Sequence, residues 1–331
     1  MQLYVKRNIV LFGLPWLIFS LFVGSPGFVF GQETIDFPIS IDQQEDRLRV
    51  MVRDGDADQL FTEYRFTGFA KPILYPVYGQ PDVSLTRHFP MSDKYPEEER
   101  DHLHHKSIWF AHGEVNGVDF WTEKADIVHR EFVRVDSAGF EVRNAWVDDE
   151  KTICTDRTHV QFAAGKSDGQ KWRSIDYHVI LSASEGELVL GDSKEGTFAI
   201  RTHPALRLED QQKQAVGSAV NSQGQTGKGI WGQTAKWVKY QGDIDGQTWT
   251  IAMMDHPDNL RYPGTWHARE YGLIAANPFG LSYFQGVDKH AGDHTINEGD
   301  SLEFRYRLLF YAGELNVAGM ETRFAGFAGQ E

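Results

Sequence analysis

Four of the chain's 13 histidines fall in one string, Asp101-His102-Leu103-His104-His105-Lys106-Ser107-Ile108-Trp109-Phe110-Ala111-His112. A neutral imidazole offers one donor and one lone pair and titrates near neutrality, so a group of them can move protons or hold a metal. His104 and His105 are the first candidate acid/base residues, with Asp101, Glu114 and Asp119 close enough in sequence to fix a tautomer. The alternative is a divalent metal on His102, His104 and His112. Cys154 is the only cysteine, so any metal would be held by His, Asp or Glu, and no internal disulfide can form. No cofactor other than that alternative metal is implied.

Two His-Pro pairs extend the set. In Arg201-Thr202-His203-Pro204 the proline holds the preceding backbone extended, which presents His203 at a strand end. Met254-Asp255-His256-Pro257 repeats the arrangement and supplies Asp255 as a carboxylate partner. His203 and Asp255 therefore join His104 and His105 as catalytic candidates. Aromatic faces mixed with polar tips suit sugars, whose C–H faces stack on rings while their hydroxyls take oriented hydrogen bonds. On that ground Arg87, Trp109, His112, His256, Trp266, Arg269, Tyr271 and Asn277 are the substrate-contact candidates.

These residues have to be positioned by strands. Period-2 alternation recurs at Leu48, Val50 and Val52, at Phe140 and Val142, and at Phe198 and Ile200. It is clearest where Leu302, Phe304, Tyr306 and Leu308 alternate with Glu303, Arg305 and Arg307. Asp54-Gly55, Asn116-Gly117, Asp245-Gly246 and Glu298-Gly299 separate such runs as turns. No amphipathic helix of three turns is expected. The fold class is all-β, a large antiparallel β-sandwich. Ser107 to His112 and Val118 to Thr122 are expected to pair as a hairpin. An extended 102–105 would point His102 and His104 to one face and His105 to the other. Segments 79–106 and 211–228 read as long loops. Residues 1–31 read as an export signal: Lys6 and Arg7 precede the apolar Ile9–Val23 run, and Val29-Phe30-Gly31 suits cleavage. A single domain at 32–317 and a tail at 318–331 complete the division, with an exported, periplasmic or extracellular location.

The chain has 331 residues and a net charge of −14, which becomes −16 once Lys6 and Arg7 leave with the signal. Such a charge repels phosphate backbones, so nucleic acid is not the expected partner. After the signal no stretch is long and apolar enough to span a bilayer. There is no phosphate-cradling glycine loop, no Gly-x-Ser-x-Gly elbow and no His-Glu-x-x-His. The expected partner is a carbohydrate or other small molecule.

The strings Tyr75-Pro76-Val77-Tyr78-Gly79, Thr86-Arg87, Asp101 to Gly113, Asn116 to Trp121, Asp255-His256-Pro257 and Asn277-Pro278-Phe279-Gly280 resemble the bacterial family known as the PmoA family or DUF6807. Leu103 and Lys106 stand where that family more often has Pro and Arg. The inherited label implies a membrane subunit of a methane oxygenase, which would need several spanning helices that this chain lacks after its signal. The plan is also similar to the galactose-mutarotase-like β-supersandwich: an early loop histidine, a mid-chain His-Pro at a strand end, and a closing strand introduced by Glu298-Gly299-Asp300. That second resemblance implies a sugar on a concave sheet, with His104 or His105 and His203 in proton transfer. The expectation is an exported carbohydrate-active enzyme of epimerase, lyase or hydrolase type, with a rate controlled near pH ~6–7 by an unperturbed histidine. A non-catalytic glycan-binding sandwich and a His-ligated metal enzyme are the alternatives.

Overall fold

A computed structural model describes Met1 and residues 35–329; the expected signal otherwise lies outside the described residues. The described residues form two nine-stranded antiparallel sheets and a two-stranded one, Leu188–Leu190 with His294–Ile296. Sheet I runs in the order Ser218–Asn221, Trp237–Ile244, Gln247–Asp255, Ser301–Tyr311, Gln170–Ser182, Lys151–Ser167, Gly139–Asp148 and Asp126–Val135, with Ile35–Asp36 added beside Lys151–Ser167. Sheet II runs Trp266–Ala268, Leu273–Ala276, Gly196–Arg201, Ile108–His112, Ile73–Gln80, Ala57–Arg65, Arg47–Asp54 and Ile39–Gln43, with Val83–Ser84 beside Ile73–Gln80. The chain is thus the antiparallel all-β sandwich that its alternation predicts.

The core forms where the inward rows meet. Phe61 of sheet II packs edge-on against Phe162 and Phe310 of sheet I, each at 5.9 Å. Phe110 meets Phe304 at 5.5 Å, and Phe198 meets Tyr177 and Tyr306 at 4.7 and 5.2 Å. Because side chains alternate, these contacts also identify the outward row of sheet II. Trp109 is paired with Ala199, Ala199 with Ala275, and Ala275 with His267, all facing away from sheet I.

Several local expectations change. Val118–Thr122 forms turns rather than a return strand, and Val115 bridges back to Val118. The 211–228 segment contains the strand Ser218–Asn221. The expected tail is largely a helix, Val317–Ala328, capped by Asn316, whose side chain accepts from Gly319 N at 2.8 Å. Met320, Phe324 and Phe327, spaced four and three apart, bury against Trp237, Met254, Leu309 and Tyr311 on the outer face of sheet I. Gly319 and Gly326 lower its intrinsic propensity, so packing sustains this helix. Among the described residues no helix is long and apolar enough to cross a membrane.

Candidate functional site

The histidine string turns instead of extending. His102 adopts a left-handed φ of 43°, and His105 N donates to His102 O at 2.9 Å. The turn folds His102 back onto His105, so the two rings stack at 4.6 Å and 8° instead of facing opposite ways. A ladder of four rings results: Tyr271 on His102 at 4.8 Å, His102 on His105, and His105 on Trp109 at 5.3 Å. His104 stands edge-on to His105 at 4.5 Å. The ladder rises from the outward face of sheet II. Trp109 is wholly buried at its foot, Tyr271 is half-buried at its top, His102 just beneath Tyr271 is exposed, and His104 beside the stack is half-buried.

Charged groups hold the loop from beneath. Arg87 donates to Asp101 and to the carbonyls of Glu99, His102 and His105. Arg201 reaches Asp101 Oδ1 at 3.0 Å and His105 Nδ1 at 3.3 Å, and lies 4.5 Å over the Tyr271 ring. His102 Nδ1 meets Asp101 Oδ2 at 2.6 Å. Burial alone would raise the Asp101 carboxyl. The His102 hydrogen bond and the Arg201 and Arg87 charges together outweigh burial and hold it well below the usual carboxylate range. On the other flank Lys71 donates to Trp121 O at 3.2 Å and Glu123 Oε1 at 2.6 Å, and Lys106 binds the same carboxylate. Burial brings Lys71 down to about 8, against the pull of Glu123.

These surroundings separate the titrating groups. Burial first, then the Lys71 charge, brings the His104 imidazole down to about 4. Burial and Arg201 push His105 well below its ordinary value. Burial raises Tyr271 to about 12, opposed by Arg269 and Arg201. A neutral imidazole and a protonated phenol on one rim can accept and donate protons respectively. Glu195 and Arg269 border the same rim, with Arg269 5.3 Å over the Tyr271 ring.

The other candidates are placed elsewhere or act differently. Arg87 is buried and its two terminal nitrogens are spent on Asp101 and on loop carbonyls, so it positions the loop and does not face a ligand. Trp109 is the ladder's covered foot. His112 points inward because it shares the parity of Phe110 rather than of Trp109; it sits beside Phe279, and its Nε2 meets Gly191 O at 2.8 Å. The metal set His102, His104 and His112 is therefore not assembled, and among the described residues no group of three or more His, Cys, Asp or Glu side chains is arranged to hold a metal ion. His203 caps the short helical turn after it, accepting from Ala205 N at 3.1 Å, and feels the charges of Asp245, Arg207 and Glu97 rather than the His104 pair. Asp255 ends a strand of sheet I and His256 is the residue after it. Asp255 accepts from Asn259 Nδ2 and Gly264 N, and His256 packs edge-on against Phe327 of the closing helix. Trp266 is buried with its Nε1 on Ala235 O. Asn277 ties a turn, donating to Ser193 O and accepting from Phe279 N. Asp119 caps Thr122 rather than a histidine. Of the sequence candidates, His104, His105, Arg269 and Tyr271 meet. Arg201, Lys71, Glu123 and Glu195 complete the site without having been singled out.

Asp255 has a measurable consequence. Burial raises its carboxyl from 3.8 to about 7. The folded state therefore holds a proton that the unfolded state has released between these values, and this group's contribution to stability falls as pH rises from about 4 to about 7. Urea unfolding across that window should show a shallower decline with pH in Asp255→Asn than in the wild type.

A model of the family described as DUF6807, a family of unknown function, matches residues 50–325. None of the curated proteins matches the chain. Among solved structures, the galactose 1-epimerase of Lactobacillus acidophilus NCFM is similar at 9% identity and a TM-score of 0.34, over 85% of this chain and 100% of that one. The GH36 α-galactosidase AgaA of Geobacillus stearothermophilus is similar at 10% identity and a TM-score of 0.32, over 83% of this chain and 41% of that one. An α-galactosidase of Lactobacillus brevis follows at 9% identity and a TM-score of 0.26, over 85% of this chain and 40% of that one. This chain thus spans about two fifths of either α-galactosidase. Folds host many chemistries, so activity has to be read from the site itself.

Proposed function

The chain belongs to DUF6807, a family of unknown function, and from its own side chains we propose that it is an exported carbohydrate-active enzyme that works by acid/base catalysis at His104 and Tyr271. The observation that carries this reading is that one His102–His105 stack bears both a half-buried neutral imidazole, His104, edge-on to it and a protonated phenol, Tyr271, on its open end. The ladder's edge and the Arg269 and Glu195 side chains offer a sugar a stacking face and hydrogen-bonding groups. His104 accepts a proton from the sugar or, in hydrolysis, from the attacking water, and the Tyr271 hydroxyl gives its proton to the departing or re-forming oxygen. The tyrosinate left behind lies under Arg201 and beside Arg269, which stabilise it. Solvent exchange returns both groups to their starting states. Isomerisation, elimination and glycoside hydrolysis all use such a pair.

This site changes the expected pH dependence. An ordinary histidine would govern the rate near pH ~6–7. With His104 at about 4, the base is already free at pH 5, and turnover should be level from pH ~5 to ~8 and fall as pH drops through about 4. A panel of glycans and modified sugars, assayed for turnover by the full chain, is the direct test. Turnover that collapses below pH ~4.5 supports the assignment, whereas a rate still rising tenfold between pH 6 and 7 assigns the base to another group.

A further inference from the structure

The outer face of sheet I carries a second group of titratable side chains that the acid/base site does not use. Its register aligns Arg134 with Glu141, Glu141 with His159, His159 with His178, and His178 with Arg305, one row across five strands. At a strand spacing of ~4.8 Å the row is roughly 19 Å long. At its Arg305 end it meets the closing helix. There a cleft of about 320 Å³ opens between His159, Gln161, His178, His256, Arg305 and Phe327, a size in the range of small-molecule sites.

The lining has the chemistry of a built site. The His159 Nε2 is buried and makes no hydrogen bond, an arrangement that costs free energy unless a ligand answers it. Burial lowers the His178 imidazole against the pull of Glu303, which its Nε2 meets at 3.1 Å, and its other ring nitrogen is left for a ligand hydroxyl. Arg305 is only loosely engaged, 3.5 Å from Asp258 and 3.3 Å from Glu303. Asp176 is already held by Arg307 at 2.5 and 2.6 Å and does not oppose an incoming anion as a free charge. Phe327 supplies an apolar wall.

We propose that this cleft binds a small hydroxylated carboxylate, a sugar acid, with the carboxylate on Arg305, hydroxyls on His159 and His178, and a C–H face against Phe327. A bidentate carboxylate gives Arg305 shorter, charge-assisted bonds than its two present contacts. Asp258 is 72% exposed and lies 3.5 Å from both Arg305 and His256, long contacts that water screens and that an incoming carboxylate can displace. The site lies on the sheet opposite the histidine ladder, and the proposal does not rest on the acid/base reading.

Calorimetric titration of the full chain with D-galacturonate, D-glucuronate and neutral D-galactose tests it. At least one acid should bind ten times or more tightly than galactose. Arg305→Gln and His159→Ala should each weaken that binding at least tenfold with the melting temperature unchanged, and His104→Gln should leave it as in the wild type. If Arg305→Gln fails to fold, His159→Ala, a partly exposed position, decides. The proposal is overturned if neither acid binds, if His159→Ala binds like the wild type, or if His104→Gln is the variant that loses binding.

Discussion

Replacing His104 by Gln should cut turnover by ~10²–10⁴-fold, the usual contribution of a positioned general base. Glutamine keeps a polar side chain of similar reach but cannot take up a proton. His104 is half-buried, touching His102 and His105 through ring edges, so the change should leave the melting temperature close to that of the wild type. The loss should fall on kcat, because the proton is moved in the transition state and not in the bound ground state. Tyr271→Phe is the matched variant: it keeps the ring stacked on His102 and under Arg201 but removes the hydroxyl. It should lower kcat comparably, and the double variant should lose far less than the product of the two single losses if they act as one pair. A glycan-binding module gives a different result: either variant then changes affinity alone, with no turnover to lose.

The comparison of His104 with His203 shows how much of this site is legible in the sequence. Both sit in polar strings next to strands, and both are brought to about 4 by burial. What separates them is which nitrogen is already engaged, since His203 is committed to Ala205 N two residues on. Spacing cannot reveal that commitment. The alternation around Leu302–Leu308 and Leu48–Val52 carries the sandwich because one face of each strand must be apolar, a constraint written locally. The left-handed turn at His102 is not written in that way. It depends on Arg87 and Arg201 arriving from strands and loops far along the chain to seize Asp101 and the loop carbonyls. Arg201 lies two residues before the histidine that draws attention, and strand parity alone would have directed it to the same outward row as Trp109 and Ala199. The helix at Val317–Ala328 is hidden for a related reason: its glycines argue against it, and the apolar face of sheet I that it covers is assembled from Trp237, Met254, Leu309 and Tyr311 on three strands.

Asp101→Asn should destabilise the fold by about 2–4 kcal/mol in urea unfolding, toward the lower part of the range for breaking a buried charge pair because the carboxylate itself is partly exposed. Arg87 and Arg201 are each 2% exposed and share this carboxylate, whereas Asp101 is 34% exposed. An amide keeps the shape but leaves two desolvated guanidiniums without their shared partner: Arg201 keeps only Glu99, 3.7 Å away and already engaged by Arg207 at 2.9 Å, and Arg87 keeps only the more distant charges of Glu98 and Glu99. The pH dependence identifies the cause. The Asp101 carboxyl is held below its ordinary 3.8, so its contribution is fully present above about pH 4 and is lost as pH falls further. The wild type should therefore approach the Asn variant in stability as acid is added. Asp255 has the opposite sign and a different window, losing its contribution as pH rises from about 4 to about 7. The two carboxyls, one on the histidine loop and one at the end of a sheet I strand, thus leave separable signatures in one unfolding series. A gap between wild type and Asp101→Asn that stayed constant from pH 7 down to pH ~2 would mean that the loop is held by packing of the ring ladder, with the shared carboxylate contributing little.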